Sequence, residues 1–159
     1  MIELQNIYLS KISEALARLT ACERFIGSYN ASKDVFVLES AILQMRKALE
    51  AIAFAAIAPN KSQYAEFRAQ AEKNSNFTKD YNARSILQFL GKVNADLYPL
   101  PASAPIAKSP GNWHVDRRND NSLTKDKFES FYDRLGKYLH ADNPWGNEKG
   151  LVNLANDIR

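Results

Sequence analysis

An unbroken run of apolar side chains at helical spacing constrains the fold of this chain more than any other feature. The run consists of Val35, Leu38, Ile42, Met45, Leu49 and Ile52. Alternating steps of three and four residues return to one face of an α-helix, and such a seam packs against a second helix. We expect Ser32 to cap this helix, Asp34 to suit its dipole in the first turn, and Pro59 to end it.

The preceding segment, from about Ile2 to Ser28, carries a second stripe with the same spacing. Its members are Leu4, Tyr8, Ile12, Ala15, Leu19, Cys22 and Ile26. Gly27 and Asn30 mark its predicted end. Because only a few residues separate the two helices, we expect antiparallel neighbours that form a long αα-hairpin.

Further helices are predicted after this hairpin. One covers Tyr64 to Lys73 with Tyr64, Phe67 and Ala71 inward; a second opens at Thr78 or Asp80; a third is capped by Thr124; a short final one covers Glu148 to Ile158. Trp145 is expected to plug the end of the bundle. The sequence therefore predicts an all-α helical bundle in a single domain over 1–159, and the uncapped helical pattern at its end also fits a piece of a longer protein.

The segment from about 97 to 123 has a different texture. Four prolines, Gly111 and a polar cluster after Val115 exclude a helix, so an irregular, Pro-rich loop is predicted before the last long helix. Within it, Trp113 and Val115 are expected to form a short hairpin with Ile106.

Composition narrows the class of protein more than its function. Of 159 residues, 45% are apolar and 25% are charged, which is typical of a globular domain, and the net charge is only +3. The most apolar stretch, Ala51 to Ala58, is shorter than the roughly 20 residues that span a bilayer, and no signal peptide is recognisable, so we expect a cytoplasmic protein without membrane contact. The single cysteine, Cys22, excludes an internal disulfide and is expected in the core. With two histidines and no acidic cluster, neither a metal nor a cofactor is predicted.

Arg134 and His140 are the candidate catalytic residues. An arginine can hold a phosphate, and a histidine can move a proton near neutral pH, which together suit a metal-independent endoribonuclease. On an ideal helix the two positions lie about 120° apart, so a frayed helix end or a dimer has to bring them together. The alternative is that His140 hydrogen-bonds the last carbonyls of its helix and that Arg134 is a solvated side chain.

An arginine and a histidine separated by four to six residues, on a late helix of a bundle that begins with two long helices, resemble the HEPN superfamily. Arg134 and His140 fit that spacing, and Leu-Gly-Lys-Tyr-Leu-His-Ala-Asp-Asn-Pro resembles the helix ending of small bacterial HEPN-like proteins. The likeness extends loosely over 1–145. It implies a helical module that dimerises or binds a partner protein in bacterial defence or toxin–antitoxin systems; active members are ribonucleases that join two such motifs at one groove, and others are inert.

Two further groups of residues are candidates for function. Arg46 and Glu50, four apart on the second helix, either form an intrahelical pair or contact Arg134 or His140 and orient the motif. Arg117 and Arg118, with Trp113 nearby, either meet the backbone of an RNA or form a solvated loop. The apolar stretch Ala51–Ile57 is enclosed by neighbouring helices or by a second subunit, and we expect a homodimer because such a surface is too apolar to leave in water.

Overall fold

The computed structural model describes residues 2–71, 76–118, 122–141, 144–145 and 150. Within them lie five α-helices: α1 (Ile2–Ser32), α2 (Val35–Ile57), α3 (Lys61–Ala71), α4 (Ala83–Val93) and α5 (Lys125–Tyr138). Two short strands, β1 (Ile106–Ser109) and β2 (Asn112–His114), form an antiparallel pair. The predicted all-α bundle that begins with an antiparallel helix pair is confirmed. The predicted helix from Glu148 to Ile158 lies outside the described residues, apart from Gly150.

The turn between α1 and α2 differs from the prediction. α1 runs through Gly27 to Ser32, four residues beyond its predicted end, because Tyr29 continues the apolar stripe and is buried. Lys33 then stops the helix with a left-handed φ of 58°, and its N–H donates to the Tyr29 carbonyl oxygen at 2.7 Å. The cap of α2 is Asp34, whose carboxylate accepts from the Phe36 N–H at 2.9 Å; Ser32 belongs to α1.

α2 is the central helix of the bundle. Leu38, Ile42 and Leu49 of its seam are buried as predicted, whereas Val35, in the first turn, is 41% exposed. α1 covers one side of α2, and α4 and α5 cover another and pack on each other. The core between these elements also contains Tyr64, Ala83, Ile86, Leu87, Leu90, Phe128, Tyr132 and Leu135.

The apolar end of α2 is enclosed largely by the chain itself. Ala51, Ala53, Ala55 and Ile57 are buried, so the first of the two predicted surroundings, neighbouring helices, accounts for them. Pro59 lies in a 3₁₀ turn that leads directly into α3. Ile52, Phe54 and Ala56 of the same stretch are half-buried, so its enclosure is incomplete, and the homodimer expected from it stays a prediction.

A buried ion pair explains where α3 and α4 differ from the prediction. Arg68 is buried, and its guanidinium donates to the carboxylate of Asp80 at 2.9 and 3.0 Å, while the Tyr64 hydroxyl donates to the same group at 2.7 Å. The Asp80 carboxylate is thus bound by side chains of α3 and does not cap α4. Asn82 caps α4 instead. Thr78 lies in a 3₁₀ turn. Of the predicted inward residues of α3, Tyr64 is buried, Phe67 is half-buried and Ala71 is exposed.

The Pro-rich segment contains the predicted hairpin. Ile106 faces His114 and Ala107 faces Trp113, and an isolated bridge between Ala102 and Arg117 prolongs the ribbon. Gly111, with φ of 77°, and the preceding proline form its turn.

Beyond this hairpin, α5 begins as predicted, but Trp145, which follows the helix, does not lie where it was expected. The Thr124 hydroxyl accepts from the Lys127 N–H at 3.3 Å, which caps the helix. Trp145 is 91% exposed, so the prediction that it plugs the bundle is wrong. Among the helices of the described ranges, none combines the length and apolar character needed to cross a membrane.

Candidate functional site

The predicted catalytic residues both lie on the surface near the end of α5. Arg134 is exposed, and its guanidinium lies over the ring of Phe131, 5.5 Å from the centroid. His140 is also exposed and follows the last helical residue, Tyr138, by two positions. The carboxylate of Asp133, beside Arg134, pairs with Arg84 of α4. Both candidate side chains are accessible to a phosphate group, and neither lines the pocket or the groove described below.

Arg46 and Glu50 form a compact polar network with Tyr132 of α5. Their side chains pair at 3.4 Å between Arg46 Nε and Glu50 Oε1. The buried Tyr132 hydroxyl donates to Glu50 Oε1 at 2.9 Å and accepts from Arg46 Nη2 at 2.7 Å. Arg46 Nη1 also donates to the Tyr132 carbonyl oxygen at 3.0 Å, and the guanidinium lies 3.9 Å from the centroid of that ring. Burial, and then the bond to Glu50, raises the pKa of Tyr132 to about 12.

Gly136 makes room for this network. A Cβ atom at that position would lie 2.6 Å from Arg46 Nη1, well inside van der Waals contact. The glycine, one turn after Tyr132, therefore allows the guanidinium to lie against the backbone of α5. Arg46 and Glu50 of α2 thus meet Tyr132 and Gly136 of α5. Tyr132 and Gly136 are each two positions from Arg134 in the sequence. The intrahelical pair expected between Arg46 and Glu50 is present; an orienting contact with Arg134 or His140 stays a prediction.

A small polar pocket of about 130 Å³ lies between α1 and α2. Its charges are largely paired with one another: Glu14 accepts from Lys11 at 2.8 Å and from Arg18 at 2.7 Å, and these hydrogen bonds lower the pKa of Glu14. Because Arg18 also donates to Gln44 at 3.1 Å, its guanidinium is held in place against α2. These bonds stabilise the helix pair. Lys47 and Glu50 of α2 also line the pocket, and Glu50 belongs to the network with Arg46 and Tyr132.

A larger groove of about 710 Å³ runs between α1, the end of α2 and the segment after α4. Its lining is predominantly apolar and comprises Leu4, Gln5, Tyr8, Ile12, Ile52, Ala55, Ala56, Pro59, Asn60, Asn94, Asp96, Leu97 and Pro99. The polar side chains Asn60 and Asn94 hydrogen-bond each other at 3.2 Å. The groove is thus a largely apolar surface whose α1 side is lined by Leu4, Gln5, Tyr8 and Ile12.

Next to this groove, α1 exposes a strip of apolar side chains formed by Ile2, Leu9 and Leu16. We call this strip the outer face of α1. These side chains are 76%, 52% and 60% exposed. At seven-residue spacing they stay within about 40° on an ideal helix. Between positions 2 and 20, the residues that flank them on this face are uncharged: Gln5, Asn6, Ser13 and Thr20. The charged residues of that stretch, Glu3, Lys11, Glu14 and Arg18, project from the opposite side. Sequence reasoning missed this face because it followed only the inward stripe.

The third predicted group lies on the β hairpin. Trp113, Arg117 and Arg118 are all exposed, and Arg117 belongs to the bridge with Ala102. The hairpin brings Trp113 and Arg117 onto one ribbon. Arg134 lies on a different element, α5.

No cluster of three or more His, Cys, Asp or Glu side chains suited to a metal ion occurs in the part of the chain that the structure describes. Comparisons with protein-family models, curated proteins and solved structures give no match for this chain.

Proposed function

We propose that this chain is a non-enzymatic helical scaffold that acts by dimerising through the outer face of α1. The observation that carries this proposal is the combination of large exposed aliphatic side chains and the absence of charge along that face between positions 2 and 20. Protein interfaces are depleted of charged residues at their centre, and monomeric surfaces seldom leave such a strip in water. α1 lies at the edge of the molecule, with α2 as its main neighbour, so this face is open.

A second copy of the chain is the occupant that the spacing favours. Leu9 lies midway between Ile2 and Leu16, seven residues from each. A two-fold axis at Leu9 therefore matches the strip to itself: Leu9 faces Leu9, and in an antiparallel pair Ile2 faces Leu16. Such self-complementarity is the requirement of an isologous interface. A neutral face also lets two identical surfaces meet without repulsion between like charges.

The exposed apolar surface is large enough to support a moderate dimer. The exposed fractions of Ile2, Leu9 and Leu16 amount to rather less than two side chains per protomer. Burial of one such side chain contributes about 1.5–3 kcal/mol, so two protomers together gain roughly 6–11 kcal/mol. Association costs about 4–15 kcal/mol, which makes the dimer weak to moderate and dependent on concentration.

Sedimentation of the purified chain tests this proposal. We expect a concentration-dependent monomer–dimer equilibrium for the parent, and a monomer for Leu9→Glu, because two carboxylates would meet at the two-fold axis. Leu100→Glu is the matched control, since Leu100 is 61% exposed on a different segment and its substitution should leave the dimer intact. A parent that stays monomeric at about 1 mM would contradict the proposal, as would equal effects of the two substitutions.

The HEPN resemblance supplies the setting for this scaffold. It leads us to propose a role in bacterial defence or toxin–antitoxin systems, where the dimer or a partner protein would use the helical surface. The resemblance and this setting rest on the Arg134–His140 motif and the helical order alone.

Metal-independent ribonuclease activity is the second candidate, and the exposure of both Arg134 and His140 favours it. Its test is incubation of single-stranded and structured RNA with the protein in chelator, beside an Arg134→Ala, His140→Ala double variant. Cleavage by the parent that the variant lacks would establish the activity. Arg24→Ala, at an exposed arginine of α1, is the control that should cleave like the parent.

A further inference from the structure

The β hairpin forms an arm, residues 101–118, whose packing is unlike that of the rest of the chain. Residues 104–118 are all exposed, including the large side chains Ile106, Trp113 and Val115. The two strands pack chiefly on each other. An isolated two-stranded ribbon has little stability of its own in water, and exposed aromatic and aliphatic groups add a cost. The exposure of these side chains therefore indicates that the arm binds a partner.

The ribbon sorts its side chains onto two faces. His114 and Asp116, two residues apart, touch at 2.8 Å between Nε2 and Oδ1, which places them on one face. Backbone pairing continues beyond β2, since the Arg118 N–H donates to the Pro101 carbonyl at 3.0 Å. Because side chains alternate along a strand, Trp113 and Val115 share the other face, and the bridge with Ala102 keeps Arg117 on the same ribbon. The residue across from Trp113 is Ala107, whose methyl group leaves the indole 62% exposed.

The arm also concentrates positive charge. Among its 18 residues are three cations, Lys108, Arg117 and Arg118, and one acid, Asp116, whose carboxylate faces His114. The arm therefore has a net charge of +2, out of +3 for all 159 residues. An aromatic ring in the open with arginines along the same ribbon offers both of the contacts that an unpaired polynucleotide requires: stacking for a base and ion pairing for the phosphates.

We propose that the arm binds single-stranded RNA, with Trp113 stacking on a base and Arg117 holding the phosphate backbone. This site goes beyond dimerisation through α1 and does not depend on it. The positive charge of the arm favours a polyanion as its partner. A β-strand of another protein could pair with the ribbon but would not require these cations. Stacking requires an unpaired base, so duplex RNA should bind less well.

Fluorescence titration of the full chain with a uridine oligonucleotide tests the proposal. In a Trp145→Phe background, Trp113 is the single tryptophan, and the substituted side chain is 91% exposed, so we expect the fold to be retained. We expect the oligonucleotide to quench the fluorescence. The phosphate contact of Arg117 predicts a slope of roughly −0.7 in a plot of log affinity against log salt concentration. Binding of a labelled oligonucleotide should fall at least about fivefold in Trp113→Ala.

Two matched variants separate a specific site from general charge. Arg117→Glu should weaken binding about tenfold or more, because a phosphate contact becomes a repulsion. Arg24→Glu makes the same change of charge at an exposed site on α1 and should stay within about twofold of the parent, and Leu9→Glu should bind like the parent. Absence of binding at low salt, equal losses in Arg117→Glu and Arg24→Glu, or equal affinity for duplex RNA would each overturn the proposal.

Discussion

Replacement of Tyr132 by phenylalanine removes one oxygen atom from the network that joins α2 to α5. The hydroxyl is buried and makes two hydrogen bonds to charged groups, at 2.9 Å to Glu50 and 2.7 Å from Arg46. The ring stays in place, so the substitution creates almost no cavity. Its effect therefore reports on the polar contacts of this hydroxyl rather than on packing.

The size of the destabilisation depends on the hydrogen bonds that Arg46 and Glu50 retain in the variant. A hydrogen bond to a charged group contributes about 1.5–3 kcal/mol. Arg46 and Glu50 remain paired with each other, Arg46 keeps its bond to the Tyr132 carbonyl, and their side chains are 20% and 26% exposed, so water replaces part of the loss. We expect Tyr132→Phe to lower the free energy of unfolding by about 2–3 kcal/mol.

Thermal and urea denaturation measure this change. For a chain of 159 residues, a loss of that size lowers the midpoint by about 4–12 °C. The control is Tyr81→Phe, at an exposed tyrosine, which should change the free energy of unfolding by less than about 0.5 kcal/mol. If Tyr132→Phe were as stable as Tyr81→Phe, the network would not hold α5 against α2.

Three further predictions concern pH, the cysteine and the glycine. Because the folded state raises the pKa of Tyr132 from 10.0 to about 12, its contribution to stability is full below pH 10 and is lost as the pH rises towards 12; Tyr132→Phe should flatten that fall in alkaline urea titrations. Burial, and to a smaller extent Glu23, raises the pKa of the Cys22 thiol to about 11, so iodoacetamide at pH 8 should label it only after unfolding, and rapid labelling of the native protein would contradict its burial. Gly136→Ala should destabilise the parent through its clash with Arg46 but stabilise the Arg46→Ala variant by about 1 kcal/mol through helix propensity; the same sign in both backgrounds would refute the close approach.

Local patterns predict the parts of this fold that depend on local physics. The seam of α2 is recognisable because Leu38, Ile42 and Leu49 recur at the spacing of a helix and are buried as that spacing requires. The start of α5 is recognisable because Thr124 supplies a capping oxygen immediately ahead of a helical run. In both cases the residues that decide the structure are neighbours in sequence.

Partners that are distant in sequence explain most of what was missed. Asp80 has the character of a helix opener, yet it is held by Arg68 twelve residues earlier, and the cap passes to Asn82. Tyr132 gives no sign in the sequence that its hydroxyl meets Arg46 and Glu50, more than 80 residues away. Such contacts are set by tertiary packing, and no periodicity encodes them.

The candidate interfaces were missed in part for a different reason. Ile2, Leu9 and Leu16 repeat every seven residues, a signal that the sequence contains but that the inward stripe of α1 obscures. The hairpin was expected, but its extension to Arg117 depends on backbone pairing with Ala102, which side-chain patterns do not reveal.

Cysteine cross-linking at Leu9 tests the proposed dimer most directly. If the outer face of α1 lies on a two-fold axis, Leu9→Cys meets its own symmetry mate in either orientation of the helices, at a separation close to the roughly 4.4–6.8 Å between Cα atoms that a disulfide requires. Cys22 is buried and does not compete. Mild oxidation should convert Leu9→Cys to a covalent dimer and leave Leu100→Cys, at a somewhat more exposed position on another segment, as a monomer. Equal and low yields from the two variants would show that α1 is not the surface through which this chain pairs with itself.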